Sequence, residues 1–128
     1  MKIIVVGAHL TGLPLNHQLT ERGGSKVADA VTAPQYKLYA LPNTNPLKPG
    51  LIRTHERQEN GITVEIWSLP TEGFATFVDA VPPPLCIGNI ELSDGSVIKG
   101  FLCEAYATVG AADITHTGGW RAYVASLP

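Results

Sequence analysis

Of the four histidines in the chain, His9 stands where an imidazole could do chemistry. It lies in Gly7-Ala8-His9-Leu10-Thr11-Gly12, directly after the β-branched run Ile3 to Val6. A glycine turn between a strand end and a helix start aims backbone N–H groups outward, an arrangement that favours a carboxylate or a phosphate. An imidazole with an ordinary pKa near neutrality, set among such donors, can pass a proton to or from the reacting atom of the anion they hold. His9 is therefore the candidate catalytic residue, and Gly7, Ala8, Leu10, Thr11 and Gly12 are candidate binding residues around it. Arg121 is the best-suited cation for an anionic ligand, because a guanidinium can hold a carboxylate through two parallel hydrogen bonds. Lys99 is a weaker candidate.

The same turn invites comparison with a dinucleotide-binding fingerprint, since Gly7 and Gly12 occupy its outer glycine positions. His9 breaks the match: the middle glycine of that fingerprint lets the backbone approach a pyrophosphate, and an imidazole there would obstruct it. The other histidines carry less. His17 reads as a surface or interface residue, while His55 and His116 sit in polar, loop-like stretches. No HxH, HxxxH or Cys/His spacing suggests a metal, and no cofactor is implied. Trp67 and Trp120 lie in apolar-patterned segments and read as packing anchors.

The elements that must carry these residues read as α+β. Residues 2–7 form a buried first strand. A short helix follows, with Thr11 or Gly12 as its cap, Pro14 near its first turn and Leu15 and Leu19 on one face, and Gly23-Gly24 ends it. Extended pieces are expected at 27–33 and 36–41, then at 51–55 and 62–69, with the turn-rich loop NTNPLKPG between. A second helix follows Pro70, carrying Phe74, Phe77, Val78 and Val81 at helical spacing. Pro82-Pro83-Pro84 ends it as a rigid extended connector. IGNIELSDGSVIKGFLCEAYA reads as a hairpin turning at Asp94-Gly95, and GGWRAYVASL fits either a closing helix or an extended arm. The expected architecture is one domain over residues 1–128: a mixed sheet curling into a small barrel, with two or three helices outside.

Composition narrows the function classes. The chain has 128 residues, 45% hydrophobic and 16% charged, enough apolar side chains for one core. A net charge of −2 without runs of like charge disfavours nucleic acid and acidic membranes as partners. The early apolar run is too short for a signal-peptide core or a membrane span, so a cytoplasmic location is expected. Cys86 and Cys103, far apart and outside any CxxC, read as reduced thiols, at least one of them buried on a strand.

Several strings are long and unusual enough to carry a family resemblance. GAHLTGLPLNHQL at 7–19, TAPQYKLYALP at 32–42, VPPPLCIGNIELSDGSVIKGFLCE at 81–104 and ADITHTGGWRAY at 112–123 resemble, in order, the C-terminal domain of allophanate hydrolases. The resemblance implies a γ-glutamylcyclotransferase-like fold. It also implies a role after an amidase step: processing of N-carboxycarbamate, with the histidine of GAHL, here His9, as the key residue. Such a substrate carries two carboxylates on one nitrogen. The amides of Ala8, His9 and Leu10 would hold one of them, and Thr11, Asn16, Tyr39 or Tyr106 the other, while His9 protonates the departing nitrogen.

Two departures qualify the resemblance. The stretch where true cyclotransferases carry a glutamate base reads Val78-Asp79-Ala80-Val81-Pro82, which lacks that acid. The amidase portion with its Ser-Ser-Lys machinery is not within these residues, which points to a separately encoded amidase partner. The readings left open are a decarboxylase or hydrolase of a small dicarboxylate, a non-catalytic anion-binding or dimerisation module, and a cyclotransferase with a relocated acid. A homodimer is an open alternative, since a small domain gains stability by burying apolar surface against a copy.

Overall fold

The computed structural model describes residues Met1–Pro128. Strand β1 (Lys2–Val5) is the centre of the molecule: Ile3, Ile4 and Val5 are all fully buried, so both of its faces are covered. That is what an uninterrupted β-branched run encodes, because a strand with one wet face would alternate. β1 pairs antiparallel with β5 (Thr63–Ser68) and parallel with β7 (Val97–Cys103). β2 (Ser25–Val31) and β6 (Leu85–Glu91) complete a mixed five-stranded sheet in the order β2-β5-β1-β7-β6. A second sheet holds β4 (Pro49–Arg53), β3 (Tyr36–Ala40) and β8 (Ala112–Asp113) in the order β4-β3-β8.

The large sheet curls without closing along its length. Its two edges meet at one end, where Thr32 bridges Leu92 and the amides of Ala33 and Ser93 donate to the carbonyls of Glu91 and Val31. The barrel expected from the strand pattern is thus realised as two sheets, the larger pinched shut at one corner by a few hydrogen bonds. Three helices accompany them: α1 (His17–Thr20), α2 (Thr71–Asp79) and α3 (Trp120–Ala125). The C-terminal segment is therefore helical, anchored by the buried Trp120. No helix is long and apolar enough to cross a membrane.

Four local expectations are corrected. The first helix is a single turn, because residues 8–16 are taken up by tight turns. Gly12 adopts φ +79°, the Leu15 amide reaches back to the Ala8 carbonyl, and Asn16 bonds Leu13, so no regular ladder starts until His17. The three prolines form a turn and not an extended connector, since the Leu85 amide folds back on the Pro82 carbonyl at 3.1 Å. In the β6–β7 hairpin only Gly95 takes positive φ, at +88°. Asp94 contributes differently: its Oδ1 accepts from the Ser96 amide and hydroxyl at 2.9 and 2.6 Å. Strand β4 also begins at Pro49 and ends at Arg53, two residues ahead of the expected 51–55.

Candidate functional site

The turn that leaves β1 carries His9 to the wall of two adjoining cavities. The smaller, about 20 Å³, is lined by Gly7, Ala8 and His9 on one side and by Lys48, Pro49 and Phe101 on another. The larger, about 450 Å³, shares His9, Lys48, Leu85 and Phe101 and extends past His17, Gln18, Glu21 and Arg22. A space of that size admits a small dicarboxylate with room for water. Gly7 is required where it stands: a Cβ there would collide with the Pro49 ring, whose Cγ would lie 2.6 Å away.

The imidazole is held by two aromatic rings and one hydrogen bond. It stacks on Phe101 with ring centroids 5.0 Å apart and meets Phe77 edge-on at 5.1 Å. Its Nε2 is 2.8 Å from Gln18 Oε1, and the His9 backbone carbonyl accepts from Asn16 Nδ2 at 2.8 Å. Only 8% of the residue is exposed. Burial pushes the pKa of His9 down from 6.5 to about 4; the Gln18 hydrogen bond opposes that change, and the charges of Lys48, His17 and Arg22 reinforce it. His9 is therefore neutral at physiological pH.

The surroundings favour an anion. Lys48 and Arg22 both line the larger cavity, and its only lining carboxylate is Glu21. Arg22 is fixed in place: its Nη1 donates to the Gln18 carbonyl at 2.9 Å, its Nε to Thr76 Oγ1 at 3.1 Å, and its guanidinium lies 5.9 Å from the Phe77 ring centre. Among the turn and loop hydrogen bonds, the amides of Gly7, Ala8 and His9 donate to no carbonyl.

Several residues expected at this site have other employment. The Leu10 amide closes a turn onto the Gly7 carbonyl at 3.0 Å, and its side chain is buried. Asn16 supports the His9 backbone, as above. Gly12 is a turn pivot outside both cavities. Thr11 gives its amide and its hydroxyl to Glu65 Oε1, each at 2.9 Å. Arg121 bonds the Thr11 carbonyl at 2.9 Å and Glu65 Oε2 at 3.2 Å, so a carboxylate of the protein itself already occupies its guanidinium. Tyr39 and the exposed Tyr106 line neither cavity. Asp79 is exposed and also lies outside them.

Glu65 is the hub that the sequence concealed. It is 4% exposed and gathers Thr11, Trp67 Nε1 at 3.0 Å, Lys26 at 3.5 Å and Arg121. Burial raises its pKa, but the hydrogen bonds from Trp67 and Thr11 and the charge of Lys26 outweigh that and leave it below the ordinary glutamate value. Gln18, Arg22 and Lys48 were also missed. The four-residue spacing from Gln18 to Arg22 hinted that they share a face, but nothing in NTNPLKPG indicated that Lys48 would fold back onto the GAHL turn. No cluster of three or more His, Cys, Asp or Glu could hold a metal ion. Cys86 and Cys103 are free thiols on the paired strands β6 and β7; the Cys103 thiol is pushed up to about 11, first by burial and then by the neighbouring Cys86 and Glu104.

The family model of the allophanate hydrolase C-terminal domain matches residues 1–125. A urea amidolyase of Lachancea kluyveri is 46% identical over 97% of this chain, and one of Saccharomyces cerevisiae is 45% identical over 99%. The chain spans about 7% of the length of each of these curated relatives. The crystallised S177A allophanate hydrolase of Kluyveromyces lactis superposes with a TM-score of 0.94 at 42% identity, covering 99% of this chain and 21% of that one. A uropathogenic E. coli-specific protein is 36% identical with a TM-score of 0.88, and there the match covers 99% of this chain and 97% of the other. A γ-glutamyl cyclotransferase, 9% identical with a TM-score of 0.52 over 88% of this chain and 70% of its own, shares the fold alone. Sequence and structure together show that this chain belongs to the allophanate hydrolase C-terminal domain family.

Proposed function

We propose that the chain binds a small dicarboxylate in the His9 cavity and promotes the decarboxylation of N-carboxycarbamate that a separate amidase supplies. The observation that carries this reading is the joint position of His9, Lys48 and Arg22 on one cavity wall, with a single carboxylate, Glu21, among the lining side chains. Two cations, Lys48 and Arg22, offset the charge of a dianion, and they act in a partly enclosed space where such contacts are stronger than in open water. In the reaction one C–N bond breaks, carbon dioxide leaves, and the electron pair stays on nitrogen. That nitrogen takes a proton from the His9 imidazolium, and carbamate remains. His9 is neutral near pH 7, so the ring draws its proton from solvent as the dianion binds beside it and raises its proton affinity; transfer to nitrogen then returns the ring to neutrality.

Calorimetric titration with malonate, a stable dicarboxylate of similar shape, tests the binding half. Saturable one-site binding by the wild type, lost in His9→Ala while the melting temperature shows a folded protein, is the expected result. No binding by the wild type would overturn the proposal. Binding without any effect on turnover would reduce the cavity to an anion-recognition module.

A further inference from the structure

We propose that Gln18 is the positioning residue that fixes the tautomer of His9, keeping the ring proton on Nε2 and presenting Nδ1 to the cavity as the nitrogen that takes up and returns a proton. The second half rests on the reading of His9 as proton carrier; the first stands on geometry alone. An amide oxygen has no proton to give, so the 2.8 Å contact between Gln18 Oε1 and His9 Nε2 places the hydrogen on Nε2. In a neutral ring the lone pair then lies on Nδ1. Nδ1 has no hydrogen-bond partner, yet no buried side-chain nitrogen or oxygen in the molecule is left without one. Nδ1 is therefore not sealed from solvent, and His9 borders both cavities.

Phe101 packs against the face of the ring and Phe77 against its side, which restrains it from turning over and exchanging its two nitrogens. The Gln18 backbone is held in place, its N–H donating to the Leu15 carbonyl at 3.0 Å and its carbonyl accepting from Arg22 Nη1 at 2.9 Å. A residue that merely filled space would not need the oxygen at Nε2. The charged and titratable groups around the ring are Lys48 from the loop before β4, and His17, Glu21 and Arg22 from α1 and its end; α2 and β7 present Phe77 and Phe101. None of these donates to or accepts from an imidazole nitrogen, so the choice of tautomer falls to Gln18.

The test is the long-range proton–nitrogen NMR spectrum of nitrogen-15-labelled protein at pH 7, which separates the two tautomers of a histidine. The wild type is expected to show His9 protonated at Nε2, with malonate moving the Nδ1 resonance. Gln18→Leu is expected to average the two nitrogens toward a mixture of tautomers. Gln18→Glu keeps an acceptor at Nε2 and is expected to restore the tautomer while raising the proton affinity of His9 about tenfold or more. Protonation at Nδ1 in the wild type would overturn the proposal, and this needs no variant to fold. An unchanged tautomer in a folded Gln18→Leu would overturn it too, as would malonate shifting Nε2 and not Nδ1. If malonate does not bind, the proton-carrier reading and the role of Nδ1 fall with it, and the tautomer spectra still decide the part played by Gln18.

Discussion

Filling the cavity with malonate should raise the pKa of His9 from about 4 to about 6. The starting point is set by burial between Phe77 and Phe101 and, to a lesser extent, by the neighbouring Lys48, His17 and Arg22. A carboxylate about 5 Å from the ring stabilises the imidazolium by about 3 kcal/mol at an effective dielectric constant of about 20, and a second at about 8 Å adds about 2 kcal/mol. The larger cavity opens to solvent, which roughly halves the sum and leaves about 2.5 kcal/mol, equivalent to about two pKa units. The assay is a pH titration of the His9 ring C–H resonance with and without saturating malonate. A free value near 6.5 would refute the burial argument. Saturable binding that left the titration of His9 unchanged would refute the claim that the ligand sits beside the imidazole.

Stability should follow the same group. The folded pKa of His9 lies below its unfolded value of 6.5, so the unfolded chain takes up the proton first as pH falls. The contribution is complete above about pH 6.5 and is lost by about pH 4, a total of about 3 kcal/mol. Urea unfolding at a series of pH values, with His9→Phe as the non-titrating reference, should show that difference. Glu65→Gln should destabilise the fold by about 3 kcal/mol, because Lys26, Arg121 and the Thr11 and Trp67 donors converge on one buried carboxylate; thermal and urea melts measure it. Lys48→Met should weaken malonate binding about tenfold by calorimetry and leave unfolding nearly unchanged, since the lysine reaches its position from a loop. Gly7→Ala should cost about 2 kcal/mol and abolish malonate binding, because the new methyl drives Pro49 out of the cavity wall.

Sequence alone carried the strands well because their signals are local. The run Ile3 to Val6 and the alternation in ITVEIWSL each state their own burial, and both became strands of the large sheet. The helix after β1 was misjudged, because the spacing of Leu15 and Leu19 is compatible with a helix, while the Thr11–Glu65 contact that holds the turn open joins residues 54 positions apart. The same limit explains the site. His9 and its glycine turn could be singled out from one short stretch. The cations that complete the cavity come from separate segments, and Arg121, chosen for its chemistry, is claimed by Glu65. Residue type states what a side chain can do, but only the fold decides which partner reaches it first.

The most direct test couples the protein to an amidase that releases ammonia from allophanate and so generates N-carboxycarbamate in place. The quantity to measure is the lag between ammonia release and carbon dioxide release, with wild type, with His9→Ala and with no added protein. If His9 delivers the proton, the wild type shortens the lag and His9→Ala leaves it at the uncatalysed value. An identical lag in all three would contradict that role.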